Sequence, residues 1–552
     1  MGSGSFATLC RAGPPLRTAP LLGKGHRRLQ GPVKAGRSNF CTLHLPAQMS
    51  VASGLFSWNA IGRGMIVLAR LAATNILRTP AQLPKLRPPT LVWVACSILA
   101  VTAIAAFVAI ELFVLHAGFR DYDEGVYWQS FRAMGRGESL FGTVYASQPP
   151  AFYFAMLPFY LVGHSIVALR LGVLIFSAAG LAATYVTGRL VVGPVAGLVA
   201  VGLLATSSLY IQQGAVLQAD APAAALSVAT LAFLVAAIPA NGRRRWLLGA
   251  ASGACLAFAV GTKLSGAVVA LPVALFVWQA GRSRRRLALA LVSGLAAGSL
   301  ILLIPIFEYP RPAVDDLIRS HLAAGQALHR VLDMNLQLLL LKRELPLEGA
   351  AAALTLVAIL GHDHRILPIA IWSAASVIAI LLYQPLFPHH LVMLLPSLAL
   401  LSAIGLARLT TVGLAPTLMG LALVALTAAL GMGIAIGDGR GELRAGSHDA
   451  LLAASLRTYT HGSDFVISDN PYAIALADRD VPGSLVDTSR QRIAADLLSV
   501  PDLDAASQRY RVRFVLLDGD RLRSVPGFIA WLTRHYPSAI QLSDGASLYW
   551  RE

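Results

Sequence analysis

The chain is written mostly in long apolar runs divided by short polar breaks. Read in windows of about 19 residues, the length that suits a bilayer-crossing helix, the runs fall near 91–115, 165–188, 192–211, 221–239, 246–262, 265–281, 287–307, 347–361, 366–385, 389–408 and 413–436. They predict a polytopic α-helical membrane protein with about 11 transmembrane helices. One further apolar segment, Ala151 to Gly163, is too short, because about 13 residues at 1.5 Å each cannot cross roughly 30 Å of hydrocarbon.

The polar breaks orient the runs. If Ala151 to Gly163 lies in the interface, then Arg189, Arg243–Arg244–Arg245, the cluster Arg282 to Arg286, Arg365 and Arg408 all share the side of the N-terminal segment. The positive-inside rule makes that side the cytoplasm. If the segment crosses, all of these basic residues move outside, so the interfacial placement is expected. It puts the breaks with Asp121, Asp220, Lys263, His389 and His390, the loop 308–346 and the C-terminal region on the non-cytoplasmic side. Within 308–346, Val314, Leu317, Ile318 and Leu336 to Leu341 suggest amphipathic helices lying on the outer surface.

The ends differ from the middle. After Asp438 short β-rich runs, 464–468 and 514–517, alternate with helical patterns near 447–460, 490–500 and 526–535. Residues 438–552 are therefore expected to form a small extracytoplasmic α/β domain. Residues 1–90 hold twelve Lys or Arg and no Asp or Glu, a composition expected of a disordered cytoplasmic arm, with Met49 and Met65 as alternative starts.

Composition fits this picture. With 56% hydrophobic and 13% charged residues and a mean hydropathy of +0.64, most of the chain cannot form a water-soluble globule. The formal charge of +17 would suggest nucleic acid in a soluble protein, but outside the arm 33 basic residues face 28 acidic ones, so no nucleic-acid partner is expected. The cysteines, Cys10, Cys41, Cys96 and Cys255, have neither metal-ligand nor disulfide-framework spacing.

The chemistry concentrates in Phe119 to Tyr153, which carries Asp121, Asp123 and Glu124 just after the first span. Carboxylates at a membrane rim are costly unless they pair or react. Transfer of a group to a hydroxyl needs a carboxylate to take the proton and cations or hydrogen-bond donors for an anionic leaving group. Asp123 and Glu124 supply the first; Lys263, Arg170, His389 and His390 could supply the second. Plainer readings exist for each. Asp123 and Glu124 could pair with Arg120 or Arg132, Asp220 could stabilise a helix N-terminus, Lys263 could snorkel, Arg170 could snorkel or pair with an outer-loop carboxylate, and Tyr127 suits an aromatic belt. The outer carboxylates could hold a divalent cation, but no ligand spacing identifies one. A polyprenyl-phosphate sugar would be available on the outer side, whereas nucleotide sugars are cytoplasmic.

Several motifs then fall in a shared order: Asp123–Glu124–Gly125–Val126–Tyr127, Gln148–Pro149–Pro150, Arg170–Leu171–Gly172, Gln218–Ala219–Asp220–Ala221–Pro222, Thr262–Lys263, and Leu386–Phe387–Pro388–His389–His390–Leu391 with Pro396 beyond. Over residues 90 to 410 the chain resembles the GT-C membrane glycosyltransferases, in the branch of protein O-mannosyltransferases and aminoarabinose transferases. The resemblance implies an inverting transfer from a polyprenyl-phosphate sugar to a protein, lipid or cell-wall glycan acceptor. It implies Asp123 as general base with Glu124 beside it. Asp121, Tyr127, Gln148, Arg170, Asp220, Lys263, His389 and His390 would bind substrate, with Arg170, Lys263 and His390 on the departing phosphate. Gln148 stands where some relatives carry Lys, and His replaces an aromatic near His390, which leaves the donor open. A transporter or lipid flippase is the competing reading, and it predicts charge near mid-membrane and broken helices in paired halves. A scaffold that displays the C-terminal domain is a third.

Overall fold

Apolar runs in lipid have no water to satisfy their backbone, so they close hydrogen bonds along themselves as helices. The computed structural model describes residues 90–552 apart from 328–331, 341–343, 446 and 543–544. The basic arm expected before residue 90, with Cys10 and Cys41, lies outside the described residues. The chain divides into Met1–Ala81 and Gln82–Glu552, and all described residues belong to the second unit.

In chain order the first helices are α1 (Thr90–Val114), α2 (Tyr122–Gly135), α3 (Pro150–Gly163), α4 (Ile166–Val191), α5 (Pro194–Thr206), α6 (Asp220–Ala237) and α7 (Gly242–Thr262). Then follow α8 (Ala270–Gln279), α9 (Arg284–Glu308), α10 (Leu345–Leu360), α11 (Ile366–Leu382), α12 (Leu395–Val412) and α13 (Leu414–Ala445). Every expected span is a helix at its place in the order. Seven helices, α1, α4, α6, α7, α9, α12 and α13, are long and apolar enough to cross a membrane, α9 and α12 with the short turns that lead into them. The regions of α5, α8, α10 and α11 are apolar but shorter.

The short segment in question is α3, whose 14 residues reach only about 21 Å. Its neighbours reveal its path. Arg170, in the second turn of α4, bonds the carbonyls of Leu115, Ala117 and Gly118 just beyond α1. The exit of α1 and the start of α4 therefore meet at one end of the bundle, and α3 does not cross. At the same end lie the start of α6, the end of α7 and the turn before α12. Arg189, Arg243 to Arg245, Arg282 to Arg286, Arg365 and Arg408 follow the opposite helix ends.

Close helix crossings hold this bundle. At the α7–α9 crossing a Cβ on Gly253 would stand 1.9 Å from the carbonyl oxygen of Leu291, and one on Gly294 1.8 Å from that of Ala250. Only glycine permits such backbone approach, the usual device for packing helices in lipid.

Beyond α13 come α14 (Ser447–Tyr459), β1 (Val466–Ser468), α15 (Pro471–Leu476), α16 (Arg490–Ala494), α17 (Val500–Arg509), β2 (Phe514–Leu517), α18 (Phe528–His535), β3 (Ser538–Gln541) and β4 (Ser547–Trp550). The sheet order is β1-β2-β4-β3, with β1 and β2 parallel and the other pairs antiparallel. Both parallel strands are wholly buried, and they are the two that the apolar runs predicted. The edge hairpin β3–β4 carries short, half-exposed runs that gave no such signal. The helical pattern expected over 490–500 stops at Ala494 and resumes at Val500, with Asp496 between them in the left-handed region at φ 55°.

Helix α2 joins the bundle to the C-terminal region. Asp121 caps it, its carboxylate accepting the N–H of Asp123 at 3.0 Å. Successive residues of a helix diverge by about 100°, so Asp123, Glu124 and Gly125 face three ways. Gly125, Gln129, Arg132 and Arg136 repeat at i, i+4, i+7 and i+11, one stripe, and the stripe faces the C-terminal region. Gln129 donates to the carbonyl oxygen of Arg479 at 3.0 Å and accepts from the N–H of Val481 at 3.2 Å. Arg132 pairs with Asp478 and Asp480, and Arg136 with Asp480. A Cβ on Gly125 would lie 2.5 Å from the backbone nitrogen of Tyr472 in α15. Gly125→Val should therefore cost about 1–3 kcal/mol through overpacking. It should lower the melting temperature of the detergent-purified protein and open residues 447–552 to protease earlier; an unchanged melt and digest would refute this contact.

Candidate functional site

Where the polar helix ends meet the C-terminal region, the structure holds a cavity of about 870 Å³. One wall is α2 and the segment before α3, contributing Asp121, Asp123, Tyr127 and Gln148. A second is the bundle rim, with Asp220, Lys263, Tyr383, His389 and His390. The segment 310–327 adds Ser320 and His321, and the C-terminal region adds Asp487, Arg490, Arg492 and Arg521. Eight residues singled out in the sequence, spread over 270 positions, thus share one cavity.

Asp123 occupies the second position of α2, half-buried, and no donor among the described residues bonds its carboxylate. Burial raises its pKa well above the ordinary carboxylate value, and the neighbouring charges of Asp121 and Asp487 push the same way. Burial also pushes Asp121 up to about 6, against the lowering effect of the Asp123 N–H. A carboxylate held with little solvation and no partner is a stronger proton acceptor than one in water. Tyr127, one turn on, packs edge-to-face on Phe152 at 4.8 Å between ring centres, which fixes this wall.

On the bundle rim, Asp220 is the first residue of α6 and Lys263 follows the last of α7. The Lys263 ammonium donates to both Asp220 oxygens, at 2.7 and 2.6 Å, with both side chains buried. An ammonium has three N–H donors, so one remains. His390 accepts the N–H of Phe387 through Nδ1 at 3.2 Å, packs on Tyr383, and stands edge-to-face with His389 at 4.5 Å.

Two expected residues lie elsewhere. Glu124 is 100° around the helix from Asp123 and points into the bundle, where it is fully buried. It accepts Nε and Nη2 of Arg170 at 2.9 and 2.6 Å and the N–H groups of Leu217 and Arg120 at 3.0 and 3.3 Å. Arg170, expected on the lipid phosphate, is itself fully buried and spends all five of its N–H donors on Glu124 and the three carbonyls after α1. Neither side chain lines the cavity. Their buried charges tie α2 to α4 and to the turn after α1.

Sequence reading missed His321 and the wall from the C-terminal region. The tract Arg490–Gln491–Arg492 was the available signal, but nothing local ties it to Asp123, more than 360 residues earlier. Among the described residues no group of three or more His, Cys, Asp or Glu comes together as a metal would need.

Comparison with solved structures fits this arrangement. ArnT from Cupriavidus metallidurans bound to undecaprenyl phosphate superposes with a TM-score of 0.61 at 16% identity, over 81% of this chain and 97% of that one. The same protein in the apo state gives 0.60 at 15% identity, over 82% and 98%. The chain has the GT-C fold. The Archaeoglobus fulgidus oligosaccharyltransferase, in complex with Zn and sulfate, gives 0.53 at 15% identity, over 80% and 71%. Residues 147–309 of the GT-C chain match the family dolichyl-phosphate-mannose-protein mannosyltransferase. No curated protein matches it in sequence.

The buried pair can be tested apart from any catalytic role. Arg170→Met leaves the Glu124 carboxylate buried and uncompensated, and should cost about 3–5 kcal/mol. Adding Glu124→Gln should recover much of that in thermal unfolding. A double variant no more stable than Arg170→Met would rule out the pair as the source of the loss.

Proposed function

We propose that this protein is an inverting glycosyltransferase that takes a sugar from a polyprenyl-phosphate donor and attaches it to an acceptor at the outer face of the membrane. The observation that carries the reading is one cavity, in a GT-C fold, that sets an unpartnered carboxylate opposite a buried ammonium and two imidazoles. The ArnT structure that superposes on this chain is bound to undecaprenyl phosphate. The basic residues at the far helix ends support a cytoplasmic assignment for that side and an outer one for the cavity.

In this mechanism Asp123 takes the proton of an acceptor hydroxyl, and the oxygen attacks the anomeric carbon from the face opposite the phosphate. The bond from that carbon to the phosphate oxygen breaks, its electron pair leaves with the lipid phosphate, and the configuration inverts. The free N–H of Lys263 and the ring of His390 take up the developing phosphate charge, electrostatic work that fixed donors do well in a site shielded from water. Asp220 keeps Lys263 charged and in place. Asp121, Tyr127, Gln148 and His389 contact the sugar or the acceptor. Glu124 and Arg170 act as positioning residues that aim α2. The sugar is a hexose or pentose.

The transport reading asks for charge near mid-membrane and paired broken helices. The cavity charge here gathers at the helix ends of one side, with no observation favouring transport. Asp123→Asn should lower transfer from a polyprenyl-phosphate sugar by about 10²–10⁴-fold, assayed in membranes at equal expression; wild-type transfer by this variant would sink the assignment.

The pH profile gives a second test. A base works deprotonated, so activity should fall as pH drops through the pKa of Asp123, at a pH above the ordinary carboxylate value of about 3.9. Asp121→Asn keeps an oxygen to cap α2 but removes a like charge that raises Asp123. Its acid limb should move to lower pH. A limb that stays in place would separate the profile from Asp123.

A further inference from the structure

The C-terminal wall of the cavity is built from cations that the mechanism does not use. Arg490, Arg492 and Arg521 all line it, against one carboxylate, Asp487. That carboxylate is occupied locally: its Oδ1 accepts the N–H of Ser489 at 2.7 Å and stands 3.5 Å from the hydroxyl of Tyr122. The wall therefore carries a net positive charge, while the α2 wall beside it carries Asp121 and Asp123.

The arginines are set in different ways. Arg492 lies over the Tyr145 ring at 3.9 Å and donates to the carbonyls of Ser484, Asp487 and Leu497, so it is part of the frame. Arg521 lies over the Tyr122 ring at 4.0 Å and gives one N–H to the carbonyl of Asp469 at 2.8 Å. Its plane is held while its other donors are left over. Arg490 is exposed, and no carboxylate or carbonyl of the described residues takes its guanidinium. A stacked, half-anchored arginine beside an unanchored one offers two planar forks, the geometry that suits a phosphate or carboxylate.

Position distinguishes this anion from the donor phosphate. A polyprenyl phosphate is tied to the bilayer by its tail, and Lys263 and His390 at the span ends face it. Arg521 instead stacks on Tyr122, whose hydroxyl stands 3.5 Å from Asp487, a carboxylate whose charge acts on Asp123 across the same cavity. A group held there lies on the side of the base, where the acceptor hydroxyl must arrive.

We propose that Arg490 and Arg521 form an acceptor subsite, and that the acceptor of this enzyme carries an anionic group, phosphate or carboxylate, near the hydroxyl that is glycosylated. This rests on the glycosyltransferase reading above, but the subsite can be measured without turnover. The full-length protein in detergent is titrated with inorganic phosphate, and separately with a polyprenyl phosphate, in wild type, Arg490→Ala and Arg490→Lys. Since Arg490 is exposed and unbonded, its substitution should spare the fold. Phosphate binding should weaken at least tenfold in Arg490→Ala and recover in part in Arg490→Lys, with polyprenyl-phosphate affinity kept within twofold. Phosphate affinity equal to wild type in Arg490→Ala, or no phosphate binding by wild type, would overturn the subsite. A parallel fall in polyprenyl-phosphate affinity would hand the arginine to the donor and overturn it equally. A loss of phosphate binding together with full transfer by Asp123→Asn would instead retire the catalytic reading and leave an anion site.

Discussion

The arrangement of this protein depends on one buried ion pair. Removing a guanidinium and a carboxylate from water is expensive, and their mutual attraction offsets that cost only when every remaining donor and lone pair is also met. Arg170 meets the condition, with two donors on Glu124 and three on the carbonyls of Leu115, Ala117 and Gly118. Those carbonyls belong to the turn where the chain leaves α1. One side chain thus fixes that turn, the start of α4 and the first turn of α2 together.

The pitch of α2 does the rest. With Glu124 locked into the bundle, the 100° step of a helix turns Asp123 to the cavity and Gly125 to the C-terminal region. Neither direction is chosen by Asp123 or Gly125. The lack of a side chain at Gly125 then lets α15 approach to contact, and the stripe of Gln129, Arg132 and Arg136 extends that contact along α2. An acidic residue in the first turn also suits the helix dipole, so the local preference of α2 agrees with the tertiary one.

The same geometry explains what the sequence could and could not reveal. Apolar length made all the spans legible, and the order of polar breaks at alternate span ends gathered Asp123, Asp220, Lys263 and the His389–His390 pair on one side. The paired reading of Asp123 and Glu124 treated their stretch as an irregular loop, in which neighbours can converge; in a helix they cannot. For Arg170 a pair with an outer-loop carboxylate stands in the sequence beside the phosphate role that the resemblance implies, and nothing local chooses between them, because the partner, Glu124, lies 46 residues away. Arg490 stands in the basic tract Arg490–Gln491–Arg492, but neither it nor Arg521 carries a local signal that ties it to Asp123. Their place in the cavity follows from the docking of α15 on α2, a contact between segments some 350 residues apart. The edge hairpin β3–β4 escaped because its strands are short and half-exposed.

That separation has a consequence in time. A ribosome adding about 5–20 residues per second needs on the order of 20–70 s to travel from α2 to the segment that receives Gln129 and Gly125. Throughout that interval the stripe on α2 has nothing to bind, although the bundle side of the same helix can already close on Arg170. The wall that carries Asp123 is finished only when the segment from Tyr472 to Val481 has been made and has docked on α2. The first wall of the cavity in the sequence is thus among the last to be set in place.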